Sequence, residues 1–392
     1  MKYLAVACAF IFLTSGCGGG GDSGGGAGSA PANVLTVSVG ASTLCRNVNE
    51  LCAQVTICSP GTSSCQTIPD ILVDIGSFGL RIFGSVLLPS LVQEVDSQNN
   101  PIGECAFFAD GTTFWGPVQR ADVVLGGEPA VNVPIHVIDP TFAGQSTSQN
   151  PCNSVVESNP QDVFFNGILG IGVFAQDCGP VCATQSNNTL YFSCVGSTCA
   201  GTAVPLLNQV QNPVSLLPSD NNGVTLTLPS VPSTGAQSVS GSLILGIGTA
   251  VNNTPPGGVS VFTTDPTTGL FKTIYNGTNF GQAVIDSGSN GYFFPDQTIP
   301  VCTAPLQDFY CPVSQADLLA TLVGANSHQA IIPFQVANTS SLVQTGHAVF
   351  NNLGGPSPSF FVWGLPFFLG RTVYVGFDSQ PSTLGTGPFL AF

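Results

Sequence analysis

The stretch Val284-Ile285-Asp286-Ser287-Gly288-Ser289-Asn290-Gly291-Tyr292-Phe293-Phe294 decides how this chain is read. Two apolar residues lead into a single acid, a short polar turn follows, and the chain returns to apolar residues. A counterpart lies far upstream: Leu72-Val73-Asp74-Ile75-Gly76-Ser77-Phe78-Gly79-Leu80-Arg81-Ile82. Both follow the pattern Asp-x-Gly-Ser-x-Gly inside an apolar frame. Each reads as a buried strand, a tight turn and a second strand, with Gly where a side chain would restrict the backbone. The apolar frame roots each carboxyl in a poorly hydrated place, where an isolated charge is costly and a proton tends to be retained. Two such turns, one from each half of the chain, can share that problem by facing each other.

Working outward, each half carries the same parts in the same order. After the first Asp turn comes Phe165-Asn166-Gly167-Ile168-Leu169-Gly170, and after the second comes Val362-Trp363-Gly364. These apolar runs broken by Gly suit backbones that approach one another closely. The repeat is at the scale of a lobe, far too long for a solenoid. Between the first pair of parts, Asp110-Gly111 separates aromatic and β-branched runs within Glu104 to Val124 and marks a hairpin turn. Asn33 to Val39 reads as an opening strand, and Cys45 to Thr67 as a Cys-stapled hairpin. Ala203 to Val210 and Val313 to Leu322 read as short helices, the second from its Ala and Leu content. The crossing between lobes is placed between Asn212 and Gly241, giving lobes at 34–222 and 223–392.

The 392 residues suffice for two domains or one large two-lobed unit. Only 7% are charged, so Ser, Thr, Asn, Gln and Gly must cover the surface. The 47 Gly and 30 Pro punctuate short strands and argue against long helices. A net charge of −15 excludes the basic surface that nucleic acid or an anionic membrane face requires.

The N-terminus reads as a targeting segment. Lys2 supplies positive charge, and the apolar run Tyr3 to Leu13 is about half the ~20 residues that a spanning helix needs. Leu13-Thr14-Ser15-Gly16-Cys17 is similar to a bacterial lipobox, with Thr14 where Leu is usual. It implies a signal peptide over 1–17 and a lipid on Cys17. Gly18 after Cys17 is compatible with transport to the outer membrane, and residues 18–33 form a Gly/Ser-rich tether. The expected location is therefore the cell envelope, with the membrane reached only through that lipid. Twelve of the 14 Cys follow Cys17, an even number that in an exported chain implies disulfides. The nearest-neighbour pairs are Cys58 with Cys65, Cys178 with Cys182, Cys194 with Cys199 and Cys302 with Cys311. Cys45 with Cys52 and Cys105 with Cys152 complete the set. His136, His328 and His347 show no metal-ligand spacing, and neither metal nor cofactor is expected.

Together these motifs resemble the pepsin-like aspartic proteases. Ala283 to Ser289 resembles the family's C-terminal Asp loop, and Leu72 to Ser77 its N-terminal loop. Phe165 to Gly170 is similar to the family's Phe-Asp-Gly-Ile-Leu-Gly segment, Gly241 to Gly246 to the strand before the second lobe, and Leu369 to Asp378 to the closing segment. The matches span most of residues 70 to 378, and with the lipobox and tether the chain also resembles bacterial envelope lipoproteins of an uncharacterised pepsin-like family. The resemblance implies a mainly β, two-lobed fold with a cleft between pseudo-symmetric lobes. It implies a monomer that takes a peptide or protein substrate in that cleft, with Asp74 and Asp286 as the catalytic dyad. Two carboxylates about 3 Å apart at an effective dielectric of ~20 repel by roughly 5 kcal/mol, so the pair keeps one proton at moderate pH. Gly76 and Gly288 would present N–H groups to the inner oxygens, and Ser77 and Ser289 would bond the outer ones.

Two departures qualify that reading. The family usually has Thr after each Asp, and those hydroxyls bond across to the opposite loop. Ile75 has no hydroxyl and Ser287 does, so one arm of the crosslink is expected to be missing. The flap maps to Phe108, Asp110 and Gly111, where Phe108 takes the place of a Tyr and supplies no hydroxyl; Trp115 is the nearby candidate for part of that role. An alternative reading follows: a pepsin-like scaffold that binds, or serves a structural role in the envelope, without cutting. A serine hydrolase is disfavoured, since neither Ser77 nor Ser289 sits in a G-x-S-x-G elbow.

Overall fold

A computed structural model describes residues 31–392. The targeting segment, Cys17 and nearly all of the tether lie outside the described residues. The fold is mainly β, with helices of five residues or fewer, as the Gly- and Pro-rich composition requires.

Each Asp turn is built in the same way, and the reason lies in the glycines. The strand Cys65–Asp74 ends at the first acid and pairs parallel with Gly167–Ile171, setting Asp74 opposite Gly170. The chain leaves the turn along Phe78–Phe83, which pairs antiparallel with the other edge of Gly167–Ile171. The Gly segment is thus threaded between the two strands of its own Asp turn. In the second half Thr278–Ile285 pairs parallel with Phe361–Trp363, and Tyr292–Phe294 pairs antiparallel with the same strand. A Cβ on Gly167 would lie 2.3 Å from the carbonyl oxygen of Arg81, and one on Gly364 would lie 2.1 Å from that of Gly291. No side chain fits at either place, which is why both segments carry Gly where they do.

The first assembly belongs to a 16-stranded sheet and the second to a seven-stranded one. The larger sheet is continuous between the halves: Val34–Val39, as the sequence implied, is a strand, and it pairs antiparallel with Val239–Leu245. Gly223–Thr227, Thr372–Gly376 and Phe389–Ala391 extend it on the far side. The aliphatic core below this sheet includes Val73, Ile75, Leu169, Val224, Leu243, Ile285 and Trp363, so both Asp turns are rooted in one apolar body. All six expected disulfides are present: Cys45–Cys52, Cys58–Cys65, Cys105–Cys152, Cys178–Cys182, Cys194–Cys199 and Cys302–Cys311.

Two local expectations fail. Val313 to Leu322 is not a helix. Its residues fall in the strand Ala316–Val323, paired with Gln329–Val336 on one side and Phe271–Tyr275 on the other. Ala and Leu favour a helix intrinsically, but two flanking strands override so weak a preference. Ala203 to Val210 contains only a single 3-10 turn, Leu206–Asn208, because Pro205 cannot continue a helix begun before it.

Candidate active site

The two Asp turns meet. Asp74 is 2% exposed and Asp286 is 9% exposed, and the two acids face each other across Gly76 and line the same cavity. Gly76 lies so close to the opposite acid that a Cβ there would sit 2.6 Å from Asp286 Cγ. Its requirement is therefore space rather than backbone angle; Gly79, with φ +93°, is the position of the first turn that needs a left-handed residue. Burial, the Asp286 charge and the hydrogen bond to Asp286 push the Asp74 carboxyl well above the usual carboxylate range, against the opposing pull of Ser77 and the Gly76 N–H.

The supports of the two acids differ. The Gly76 N–H donates to Asp74 Oδ1 at 2.8 Å, and the Gly288 N–H donates to Asp286 Oδ1 at 2.7 Å. Ser289 Oγ donates to Asp286 Oδ2 at 2.5 Å. Ser77 Oγ lies near enough to Asp74 to favour its charged form, but it is buried and makes no hydrogen bond. Between the loops, Ser287 Oγ donates to the Val73 carbonyl at 2.7 Å and accepts the Ile75 N–H at 3.1 Å. Ile75 offers no reciprocal hydroxyl; it is 4% exposed and packs into the apolar core. One polar arm and one apolar arm join the loops.

With this geometry the comparisons with known proteins take on meaning. A family model described as "Protein of unknown function (DUF3443)" matches residues 29–392. The chain belongs to the DUF3443 family. A solved structure, the crystal structure of aspartic proteinase from Irpex lacteus, superimposes with a TM-score of 0.53 at 15% identity, covering 91% of this chain and 96% of that one. That likeness establishes a two-lobed, pepsin-like fold. No curated protein matches the chain.

In this DUF3443 chain the dyad opens into a cavity of about 710 Å³ between the lobes. The hairpin of Ile102–Phe107 and Thr113–Leu125 carries its roof, where Phe108, Ala109 and Asp110 face the cavity. Asp110 shapes the tip: its carboxylate accepts the Thr112 N–H and the Thr112 hydroxyl, each at 2.8 Å, and Gly111 takes φ +92°. Trp115 is not part of the cleft. It is fully buried behind the hairpin, donates its indole N–H to the Phe142 carbonyl at 3.3 Å and packs on Phe142 and Phe192. On an alternating strand it points to the face opposite the one Phe114 presents to Phe108.

Sequence reasoning did not find the apolar wall opposite the flap: Leu270, Val284, Phe293, Phe360 and Val362. Val284 and Val362 lie within the motifs that were recognised, and their alternation with buried neighbours was the available signal. None of the three His lines the cavity. Among the described residues, no group of three or more His, Cys, Asp or Glu is placed to hold a metal ion, and no helix is long and apolar enough to cross a membrane.

Proposed function

We propose that this protein is an aspartic-type endopeptidase in which Asp74 and Asp286 activate water against a peptide bond. The observation that carries the reading is that two buried carboxyls, one from each Asp turn, face each other at the floor of one cavity. Two carboxyls so placed titrate as a unit and hold one proton between them. Asp286, with donors on both oxygens, is the better site for the charge, and Asp74 for the proton. Asp286 takes a proton from a water lying between the acids, and the oxygen of that water adds to the scissile carbonyl carbon. Asp74 gives its proton to the carbonyl oxygen, forming a neutral tetrahedral diol. Collapse passes one diol proton to Asp74 and the Asp286 proton to the amide nitrogen as the C–N bond breaks, leaving a carboxylic acid, an amine and the dyad with its single proton. The apolar wall and flap hold an extended peptide over the pair and limit water.

A second reading has its own support. Phe108 supplies no hydroxyl at the flap and Ile75 supplies none between the loops, so the same cleft suits peptide binding, or a structural part in the envelope, without cleavage. Digestion of an unfolded protein between pH 3 and 7 separates the two. The endopeptidase reading expects cleavage by the wild type and none by Asp286→Asn. Correct folding with no cleavage at any pH leaves the binding reading.

The same proposal places the enzyme in the bacterial cell envelope as a monomer, held by a lipid on Cys17 through the tether. The lipobox-like Leu13 to Cys17 and the even Cys count of the remainder support it. Metabolic labelling with a fatty acid should mark the wild type and not Cys17→Ala; equal labelling would remove the anchor.

A further inference from the structure

A buried ion cluster lies behind the flap, and neither the dyad nor the cleft wall uses it. Arg81 is 4% exposed, and its guanidinium donates to Glu104 Oε1 at 2.6 Å, to Asp177 Oδ2 at 2.9 Å and to the Phe78 carbonyl at 2.8 Å. Tyr191 closes the cluster: its hydroxyl donates to Asp177 Oδ1 at 2.6 Å and accepts the Val210 N–H at 2.7 Å. His136, fully buried, sets Nδ1 at 3.4 Å from Glu104 Oε2 without a hydrogen bond. Two links join this cluster to the flap. Glu104 belongs to the flap strand Ile102–Phe107, beside the Cys105–Cys152 disulfide. The ring of Phe108 lies over the guanidinium, 5.9 Å from carbon to centroid, with Phe114 edge-on at 5.7 Å.

Burying such a cluster is costly, and well-packed apolar residues would hold a hairpin at least as firmly. What the ions add is direction. A guanidinium held by a carboxylate, a second carboxyl and a backbone carbonyl has one orientation, and its attraction for an aromatic face fixes the ring above it. We propose that Arg81 is a positioning residue of the cleft: anchored by Glu104 and Asp177, it fixes Phe108 and so holds the flap over Asp74 and Asp286. Phe108 then needs no hydroxyl to be held in place. The inference rests on the endopeptidase reading for its effect on catalysis, and stands apart from it for its effect on the flap.

Protonation within the cluster agrees with this. Against burial, Arg81 holds Glu104 below its ordinary range, while burial and the neighbouring Glu104 push Asp177 well above. Burial pushes His136 down to about 4 and raises Tyr191, so both are neutral at moderate pH. The cation thus faces one carboxylate, one shared proton and two neutral rings, and the cluster is close to neutral.

Arg81→Met alone would strand Glu104 as an unpaired buried charge, so the test uses Arg81→Met/Glu104→Gln/Asp177→Asn, which removes the charges at similar volume. Amide hydrogen exchange over residues 106–113 is the readout, with residues 167–171 as the internal reference. The triple variant should melt cooperatively and exchange at least ~10-fold faster over 106–113, with 167–171 unchanged. In a Phe108→Leu background the same triple change should accelerate exchange much less, keeping only the part that Glu104 transmits through its own strand. With a peptide substrate, KM should rise more than kcat falls, since the flap is loosened and the dyad is intact. A folded triple variant whose flap exchanges as in the wild type, or an acceleration undiminished in Phe108→Leu, would overturn the inference even if hydrolysis is normal. A flap effect in a wild-type protein that cleaves nothing would support it and defeat only the endopeptidase reading.

Discussion

The turns at Asp74 and Asp286 share a backbone plan and differ in chemistry. Each has its acid at the buried end of a strand, a Gly N–H on one carboxyl oxygen and a Gly segment threaded behind it. The Asp286 turn adds two working hydroxyls, Ser289 on the carboxylate and Ser287 across the interface. The Asp74 turn adds none, since Ser77 Oγ makes no hydrogen bond and Ile75 is apolar. Backbone symmetry brings the acids together, and the hydroxyls around them are uneven. The asymmetry offers ways to break the account.

The largest effect is expected at the acids. Asp74→Asn and Asp286→Asn should each lower kcat/KM by at least ~10³-fold, because either change ends the proton exchange between the pair. Asp74→Asn should melt within a few degrees of the wild type at pH 5, since the amide copies a carboxyl that is already protonated there. A variant that cuts at a tenth of the wild-type rate would remove that residue from the dyad.

Stability should also fall as pH rises. Asp74, raised from 3.8, and Glu50, pushed up to about 8 mainly by burial, keep protons in the folded state that the unfolded chain releases. Their favourable contribution is complete below the unfolded pKa values and is lost as pH climbs through the folded ones. Glu50→Gln should flatten the decline between about pH 4.5 and 8, by as much as roughly 5 kcal/mol. An unchanged slope in melts across that window would show that Glu50 is ionised in the fold.

Ser287→Ala removes two buried hydrogen bonds between the loops and leaves the Val73 carbonyl and Ile75 N–H without their partner. It should cost about 2–4 kcal/mol in chemical denaturation. Ile75→Thr is the mirror test. The packing of Ile75 in the core predicts a loss of about 1–2 kcal/mol rather than the gain a second polar arm would give. A stabilised Ile75→Thr would mean that the apolar arm was never needed. Smallest is the pair of outer serines: Ser289→Ala should lower kcat by about tenfold and Ser77→Ala by less than threefold. Equal effects would erase the difference between the turns.

Much of this site was legible in the sequence because its signals are local. Asp-x-Gly-Ser-x-Gly in an apolar frame, a Gly segment after each, and Cys pairs a few residues apart each fit within a dozen positions. The rest depends on distant neighbours. Ala316–Val323 became a strand through two partners that its own Ala and Leu do not announce. Arg81, Glu104, His136, Asp177 and Tyr191 come from separate segments, and no spacing among them foretells a cluster. Trp115 was misplaced for a third reason: strand alternation near a hairpin tip decides whether an aromatic faces the cleft or the core, and a one-residue difference reverses it.

The central claim is that Asp74 and Asp286 hold a single proton between them. Infrared difference spectra of wild type minus Asp74→Asn, recorded at pH 6, read that proton as a protonated-carboxyl stretch. The account predicts one such band in the difference spectrum, where the protonated Glu50 and Asp177 common to both proteins cancel; a difference spectrum with only carboxylate bands for the two acids at that pH would contradict it.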